Sequence, residues 1–180
     1  MRHRALAVAA VLWALPAVAD HAPIPASEII KTFEHYERIN ADFLSSVESG
    51  KGKSGKTYAQ LRTEAEAYAE GPFESALDSA VRLVCGKRNT GRNTDVVRAL
   101  FKVKVATRNS ASESPSTALG QMFVCQPTLV SAQFRAETPE MQRLLYPALE
   151  FGFENAVYPT TGKDVDALRM SLKVLEPKSK

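Results

Sequence analysis

Residues 27–50, SEIIKTFEHYERINADFLSSVESG, carry the pattern that decides the fold class. Their large apolar side chains recur at three- and four-residue steps, which is the spacing of one face of an α-helix. This face comprises Ile29, Ile30, Phe33, Tyr36, Ile39, Phe43, Leu44 and Val47. We expect an amphipathic helix of about five turns that is capped by Ser27 and ends at Gly50.

Two further helices are expected after this one. Residues 57–70 are rich in Ala and Glu, and Gly71-Pro72 then restarts the chain, because proline suits a first helical position. Residues 73–85 again place apolar side chains at helical steps and end before Gly86. The basic loop 50–56 connects the first two helices.

The C-terminal part also shows helix signals. Thr138, Pro139 and Glu140 supply a cap, a proline for the first turn and an acid for the positive end of the helix dipole. Pro147 should kink or split this helix, because it lacks a backbone donor. Asp164 should begin a last helix. Its apolar face is formed by Val165, Leu168, Leu172 and Leu175.

The middle of the chain is ambiguous. A polar loop at 87–94 should lead to a helix capped by Thr94 or Asp95, and residues 109–117 read as a serine-rich loop. Residues 101–105, FKVKV, alternate as a half-buried strand does, and could pair with residues 121–125. We therefore favour a mainly α domain, with an α+β fold containing this hairpin as the alternative.

The first nineteen residues resemble a secretory signal peptide, with a basic start, an apolar stretch and Ala17-Val18-Ala19 at the end. We expect cleavage between Ala19 and Asp20 and a periplasmic or secreted protein. Removing these residues from the 180-residue chain leaves 161, enough for one domain. The expected organisation is a signal peptide at 1–19, an extended lead-in at 20–26, a helical domain at 27–175 and a frayed tail at 176–180.

The leader also changes the charge of the working protein. Cleavage removes Arg2 and Arg4, which leaves 21 of the 23 basic residues. With 20 acidic residues, the processed protein has a net charge of +1. A nearly neutral protein gives no indication of nucleic-acid or anionic-lipid binding. After the first nineteen residues, the sequence contains no second apolar stretch long enough for a membrane span.

The chain contains two cysteines, Cys85 and Cys125. In an oxidising compartment two cysteines of one domain usually pair, so we predict a disulfide between them. Closing a loop of this length contributes roughly 3–4 kcal/mol in the chain-entropy model.

The strongest charge asymmetry lies at residues 82–108, which carry a net charge of +7. This basic region is formed by Arg82, Lys87, Arg88, Arg92, Arg98, Lys102, Lys104 and Arg108, against Asp95 alone. Most such regions are solvated faces, and the functional alternative is a binding surface for an acidic protein or an anionic envelope component.

Two motifs suggest chemistry that their context does not support. Residues 50–57, GKGKSGKT, match the phosphate-loop pattern, but a helix rather than a buried strand precedes them. Glu113-Ser114 followed by residues 118–122 resembles the catalytic segment of lytic transglycosylases, with the two parts too close together. His21 and His35 are the histidines left after cleavage, so we predict no metal site and no cofactor.

The sequence therefore favours a binding protein over an enzyme. Phe123-Val124-Cys125-Gln126-Pro127 and the small helical architecture are loosely similar to immunity proteins that neutralise secreted cell-wall amidases. That resemblance implies a non-enzymatic inhibitor, immunity-like or envelope accessory protein. The alternatives are a cell-wall hydrolase that uses carboxylates and a structural subunit of an envelope complex. Two carboxylates facing each other in a cleft would favour the hydrolase. A flat, exposed basic face would favour the binding protein.

Overall fold

The computed structural model describes residues 24–86, 91–108, 110, 112–157 and 162–178. The predicted leader, most of the lead-in, Lys87, Arg88 and the end of the predicted tail lie outside these residues. The α-helices are α1 (Ala26–Ser49), α2 (Tyr58–Tyr68), α3 (Glu74–Cys85), α4 (Gly91–Ala106), α5 (Ser114–Cys125), α6 (Pro127–Ala136), α7 (Pro139–Glu154) and α8 (Gly162–Lys173). They surround one hydrophobic core, which confirms the mainly α class.

The first helix begins earlier than the sequence suggested. Ala26 is its first residue, and the carbonyl oxygen of Pro25 accepts hydrogen bonds from the amides of Glu28 and Ile29 at 2.9 and 3.0 Å. Ser27 therefore lies inside the first turn, and its prediction as the cap is wrong. The predicted end is confirmed, because Gly50 takes a φ of 76°, which glycine adopts without strain.

Helices α2 and α3 form one rod. Thr57 caps α2 with a reciprocal pair of hydrogen bonds to Gln60. The predicted restart at Gly71-Pro72 is wrong, because a short π-helix (Ala69–Phe73) joins the two helices directly. Proline lacks a backbone donor and crowds the preceding turn, and the wider π-helical turn accommodates it.

Helix α4 is central and settles the ambiguity of the middle segment. It starts at Gly91, so residues 91–94 are helical rather than a loop, and neither Thr94 nor Asp95 caps it. It packs against α1, α3, α5, α6 and α7. A helix with so many neighbours buries a broad face, and the alternation at 101–105 is part of that face. The hairpin alternative is wrong, since 121–125 is also helical.

Helices α5 and α7 form the most extensive helix pair in the described part of the chain. Residues 114–117 belong to α5 rather than to the predicted serine-rich loop, and α6 was not predicted at all. The helix start at Thr138 is confirmed, with its hydroxyl accepting the Met141 amide at 3.3 Å. Helix α7 runs through Pro147, so the predicted split is wrong. Pro147 is exposed, and water can satisfy the carbonyl it leaves unpaired.

The predicted disulfide is present. Cys85 at the end of α3 pairs with Cys125 at the end of α5, with their Cα atoms 5.4 Å apart. The last helix begins two residues before the predicted Asp164, and Leu172 and Leu175 are buried as predicted. None of the described helices is both long enough and apolar enough to cross a membrane.

Candidate functional site

The structure describes six of the eight residues of the predicted basic region. Arg98 and Lys102 lie on one face of α4, as expected for residues four apart on a helix. They line a recess of about 230 Å³ together with Asp95 and, across the helix pair, Glu34 and Glu37 of α1. The carboxylates in this recess outnumber the cations, so its surface is mixed in charge rather than basic.

Arg82 lies in a different cleft. Its guanidinium is 3.9 Å from the carboxylate of Asp78, in an exposed pair of the kind that contributes little to stability. Glu74 and Glu113 line the same cleft. The basic region thus divides between at least two recesses, and in each of them acidic side chains accompany the basic ones.

The remaining described members are not gathered at either recess. Lys104 is half-buried, and burial lowers its pKa because the charged form loses hydration. Arg108 is exposed, and its guanidinium donates to the backbone carbonyl of Val105 at 3.2 Å. Arg92 is exposed in the first turn of α4. Binding by these residues stays a prediction.

A concave surface lies along the α2–α3 rod and has two parts. One part, which we call the Tyr36 cleft, lies between α1 and the rod and has a volume of about 630 Å³. The other, the Glu113 cleft, lies between α3 and the start of α5 and has a volume of about 770 Å³. Glu74 and Ser112 line both clefts, so the clefts are adjacent, and we call the two together the groove.

The floor of the Tyr36 cleft is aromatic and apolar. Tyr36 is buried against the ring of Phe73, with centroids 4.2 Å apart, and stacks on Tyr68. Phe43 and Leu44 extend the floor along α1. Burial raises the pKa of Tyr36, Glu74 raises it further, and the neighbouring Ser110 hydroxyl acts in the opposite direction. The phenol therefore stays neutral at physiological pH.

The rim of the groove is charged in a regular order. Arginine stands at each end of the rod face and carboxylates stand between, all at four-residue steps. The order is Arg62, Glu66, Glu70, Glu74, Asp78 and Arg82. This spacing is visible in the sequence and could have been found there. Its significance was missed because the predicted break at Gly71-Pro72 separated the two halves of the series.

The phosphate-loop match at residues 50–57 has a structural role in the fold. Lys51 and Thr57 form an antiparallel bridge that closes the loop. The amide of Ser54 donates to the carboxylate of Asp42 on α1 at 3.2 Å, and Lys56 pairs with Glu64 at 2.6 Å. The hydrogen bond from the Ser54 side chain, more than any other contact, lowers the pKa of Asp42. The lysine that would neutralise a phosphate is therefore engaged with α2.

The other candidate ligands do not gather around a common point. His35 is exposed on α1, with its ring against that of Tyr68 at a centroid distance of 4.9 Å. Within the described ranges, no group of three or more His, Cys, Asp or Glu residues has the geometry to hold a metal ion. Glu113 precedes α5 and is exposed at the mouth of its cleft.

Comparison with protein-family models, with curated proteins and with solved structures gives no match to this chain.

Proposed function

We propose that the chain is an exported, non-enzymatic binding protein, of the inhibitor, immunity-like or envelope accessory kind. The observation that supports this proposal is the groove along the α2–α3 rod. Residues 62–82, which follow it, rise by about 30 Å at 1.5 Å per residue. A groove of that length accommodates an extended segment of about nine residues, which suits a macromolecular partner better than a small metabolite.

The composition of the groove also suits recognition of another protein. Phe43 offers aromatic surface with few rotatable bonds, and charged side chains on the rim can set the orientation of a partner. Interfaces commonly combine an apolar centre with a polar rim in this way. The disulfide between Cys85 and Cys125 supports work outside the reducing cytoplasm, as does the leader pattern of residues 1–19.

Site-specific photocrosslinking in cells that export the full chain would test this proposal. A photoreactive amino acid at Ala65 or Thr117 places the crosslinker in the groove, whereas Leu144 and Val174 are exposed positions outside it. We expect the same adduct from both groove positions and from neither control. In a second chain, the crosslinker is at Thr117 and Ala65 is replaced by tryptophan, which fills the cleft. This chain should give no adduct. Adducts only at the control positions would refute binding through the groove.

The basic region supplies a separate prediction within the same function. Arg98 and Lys102 share a recess with carboxylates, yet their exposed side chains remain able to meet an acidic partner. Arg98→Glu combined with Lys102→Glu should abolish a salt-sensitive interaction if these cations contact the partner. A complex that survives this double substitution unchanged would remove the basic region from the binding surface.

A second candidate function is a cell-wall hydrolase. Glu74 on α3 and Glu113 before α5 line the same cleft from facing elements, and two carboxylates are the usual requirement for glycan hydrolysis. Digestion of purified cell wall, compared between the unmodified chain and the Glu74→Gln and Glu113→Gln variants, tests it. Release of soluble fragments that both substitutions abolish would establish the enzyme. No release by the unmodified chain would exclude this activity on that substrate.

The third candidate, a structural subunit of an envelope complex, differs in stoichiometry rather than in chemistry. A subunit copurifies in a fixed ratio and stays bound through gel filtration, whereas an inhibitor exchanges with its target. Gel filtration of the exported protein from native membranes and periplasm separates the two possibilities.

A further inference from the structure

The four carboxylates of the rod face, Glu66, Glu70, Glu74 and Asp78, fall into two classes. The outer ones each have a basic partner on the same face, since Arg62 donates to Glu66 at 2.8 Å and Arg82 lies 3.9 Å from Asp78. The central ones, Glu70 and Glu74, have no basic side chain within 4 Å in the part of the chain that the structure describes. The carboxylates of the rod face that lack a basic partner among the described residues are therefore the two at its centre.

The π-helix keeps Glu70 and Glu74 on the same side of the rod as Glu66. Residues four apart on an α-helix drift around its axis by about 40° at each step, because a turn takes 3.6 residues. A π-helical turn contains more residues than an α-helical turn. Side chains four residues apart therefore rotate in the opposite direction across it, which reverses part of this drift. Ala69–Phe73 supplies such a turn between Glu66 and Glu74, and Glu66, Glu70 and Glu74 all line the Tyr36 cleft. The local distortion thus places Glu70 and Glu74 beside one apolar floor.

Asn40 lines the cleft but is only 7% exposed. Its side-chain amide donates to the backbone carbonyl of Ala106 at 3.1 Å, which ties this part of α1 to the end of α4. Among the described residues, no buried side-chain nitrogen or oxygen lacks a hydrogen-bond partner. The polar groups that a ligand could meet in this cleft are therefore those of its exposed rim.

These observations share one chemical complement. A lysine ammonium or arginine guanidinium carries donors and no acceptor, so it matches the two carboxylates. An adjacent apolar side chain matches Phe43 and Leu44 on the floor. The neutral phenol of Tyr36 lies near Glu74 and adds no charge of its own to the cleft.

We infer that the Tyr36 cleft binds a basic, amphipathic peptide segment of a partner protein, with a cation at Glu70 and Glu74 and an apolar anchor over Phe43. This inference rests on the proposed binding function and specifies the chemistry of the partner. A peptide is favoured over a small polyamine because the floor is apolar and the groove continues into the Glu113 cleft. A segment with alternating basic and apolar residues uses both features, whereas a polyamine uses the carboxylates alone.

Fluorescence titration with a synthetic peptide tests the inference. The sole tryptophan of the chain is Trp13, inside the expected leader, so the processed protein contributes no tryptophan signal. The probe is a short peptide with several lysines and one tryptophan, added to protein purified after export of the full chain. We expect saturable binding with a blue shift of tryptophan emission, and no binding by a matched peptide with glutamates in place of lysines.

The decisive variant is Glu70→Gln combined with Glu74→Gln. It retains side-chain size and removes two charges, and should weaken binding about tenfold, because exposed charge pairs are individually modest. The matched control is Glu48→Gln combined with Glu140→Gln, which makes the same change in net charge at two exposed sites outside the groove. We expect the control to bind as the unmodified protein does, and circular dichroism should show equal helix content in all three.

Each alternative has its own outcome. Equal binding by the groove variant and the control would overturn the inference, as would full displacement of the peptide by spermidine at a similar concentration. Concentration-dependent dimerisation that requires Glu70 and Glu74 would assign the cleft to a second copy of the chain and overturn it too. Groove crosslinks to a partner that persist in the Glu70→Gln/Glu74→Gln variant would reject the basic segment while leaving the proposed binding function intact.

Discussion

Replacing Gly152 by alanine should open the contact between α5 and α7. The new methyl carbon would lie 2.9 Å from the amide nitrogen of Gly120 and 2.7 Å from the carbonyl carbon of Ser116, and it would overlap the Ser116 oxygen. The carbonyl carbon alone requires the helices to separate by roughly 0.8 Å to reach ordinary van der Waals distance, near 3.5 Å, and the overlapping Ser116 oxygen requires more. These obstructing atoms are backbone, so no side-chain rotation relieves the overlap.

The free-energy change follows from this separation. A gap of 0.5–1 Å forfeits about a quarter to a half of the dispersion attraction between the facing atoms. The affected surface includes Phe123 and Phe153, which pack edge to face at 5.9 Å between centroids. Overpacking of this kind costs about 1–3 kcal/mol, while the helix propensity of alanine returns about 1 kcal/mol. Because the overlapping atoms belong to the backbone and cannot move aside, we expect a cost at the upper end of this range. The net decrease in the free energy of unfolding is then about 2 kcal/mol.

Urea unfolding followed by circular dichroism measures this loss. A loss of about 2 kcal/mol corresponds to a drop in Tm of roughly 4–8 °C for a domain of this size. Gly71→Ala is the control, because a methyl group there meets nothing within 4 Å and should leave stability unchanged or raise it by about 0.5–1 kcal/mol. If Gly152→Ala proved as stable as the Gly71 variant, the close crossing of α5 and α7 would be refuted.

Three further predictions concern stability. Reduction of the Cys85–Cys125 bridge should lower the free energy of unfolding by roughly 3–4 kcal/mol. Free thiols can be counted under denaturing, non-reducing conditions, and a count of two would contradict the pairing. Thr138→Ala should cost about 1 kcal/mol in urea unfolding, because it removes the acceptor for the first turn of α7; an unchanged midpoint would contradict the cap. The pKa of Asp42 is lowered in the folded chain, so its stabilisation of the 50–57 loop is present above the ordinary carboxyl pKa and is lost as pH falls through the folded pKa. The Ser54 amide resonance should report that loss at acid pH, and Asp42→Asn should abolish the titration.

Local sequence signals predicted the helices well where they acted alone. The face of α1, the termination at Gly50 and the cap at Thr138 each depend on a few neighbouring residues, so the sequence is sufficient to predict them. The cysteine pair was equally accessible, since two thiols in an oxidising compartment have one intramolecular pairing. Helix ends were less accurate, as at Ser27, because a competing backbone acceptor next to it decides the first turn.

The errors share one cause, which is the influence of neighbours distant in sequence. The FKVKV segment at 101–105 alternates like a strand, yet α4 lies between several helices that bury most of its surface. The glycine and proline at 71–72 suggest a break, yet the packing of Phe73 against Phe33 and Tyr36 holds the rod continuous through a π-helical turn. Such outcomes depend on total burial, which no local window contains.

The same division applies to the candidate site. The sequence by itself determined the mainly α class, the disulfide, the leader pattern and the position of every charge, because each is a property of composition or of short-range periodicity. Only the tertiary structure decided which charges meet. It brought Arg98 and Lys102 opposite carboxylates of α1, and it placed Glu70 and Glu74 above an aromatic floor with no basic partner among the described residues. Electrostatic environment depends on distances through space, and helix packing sets those distances.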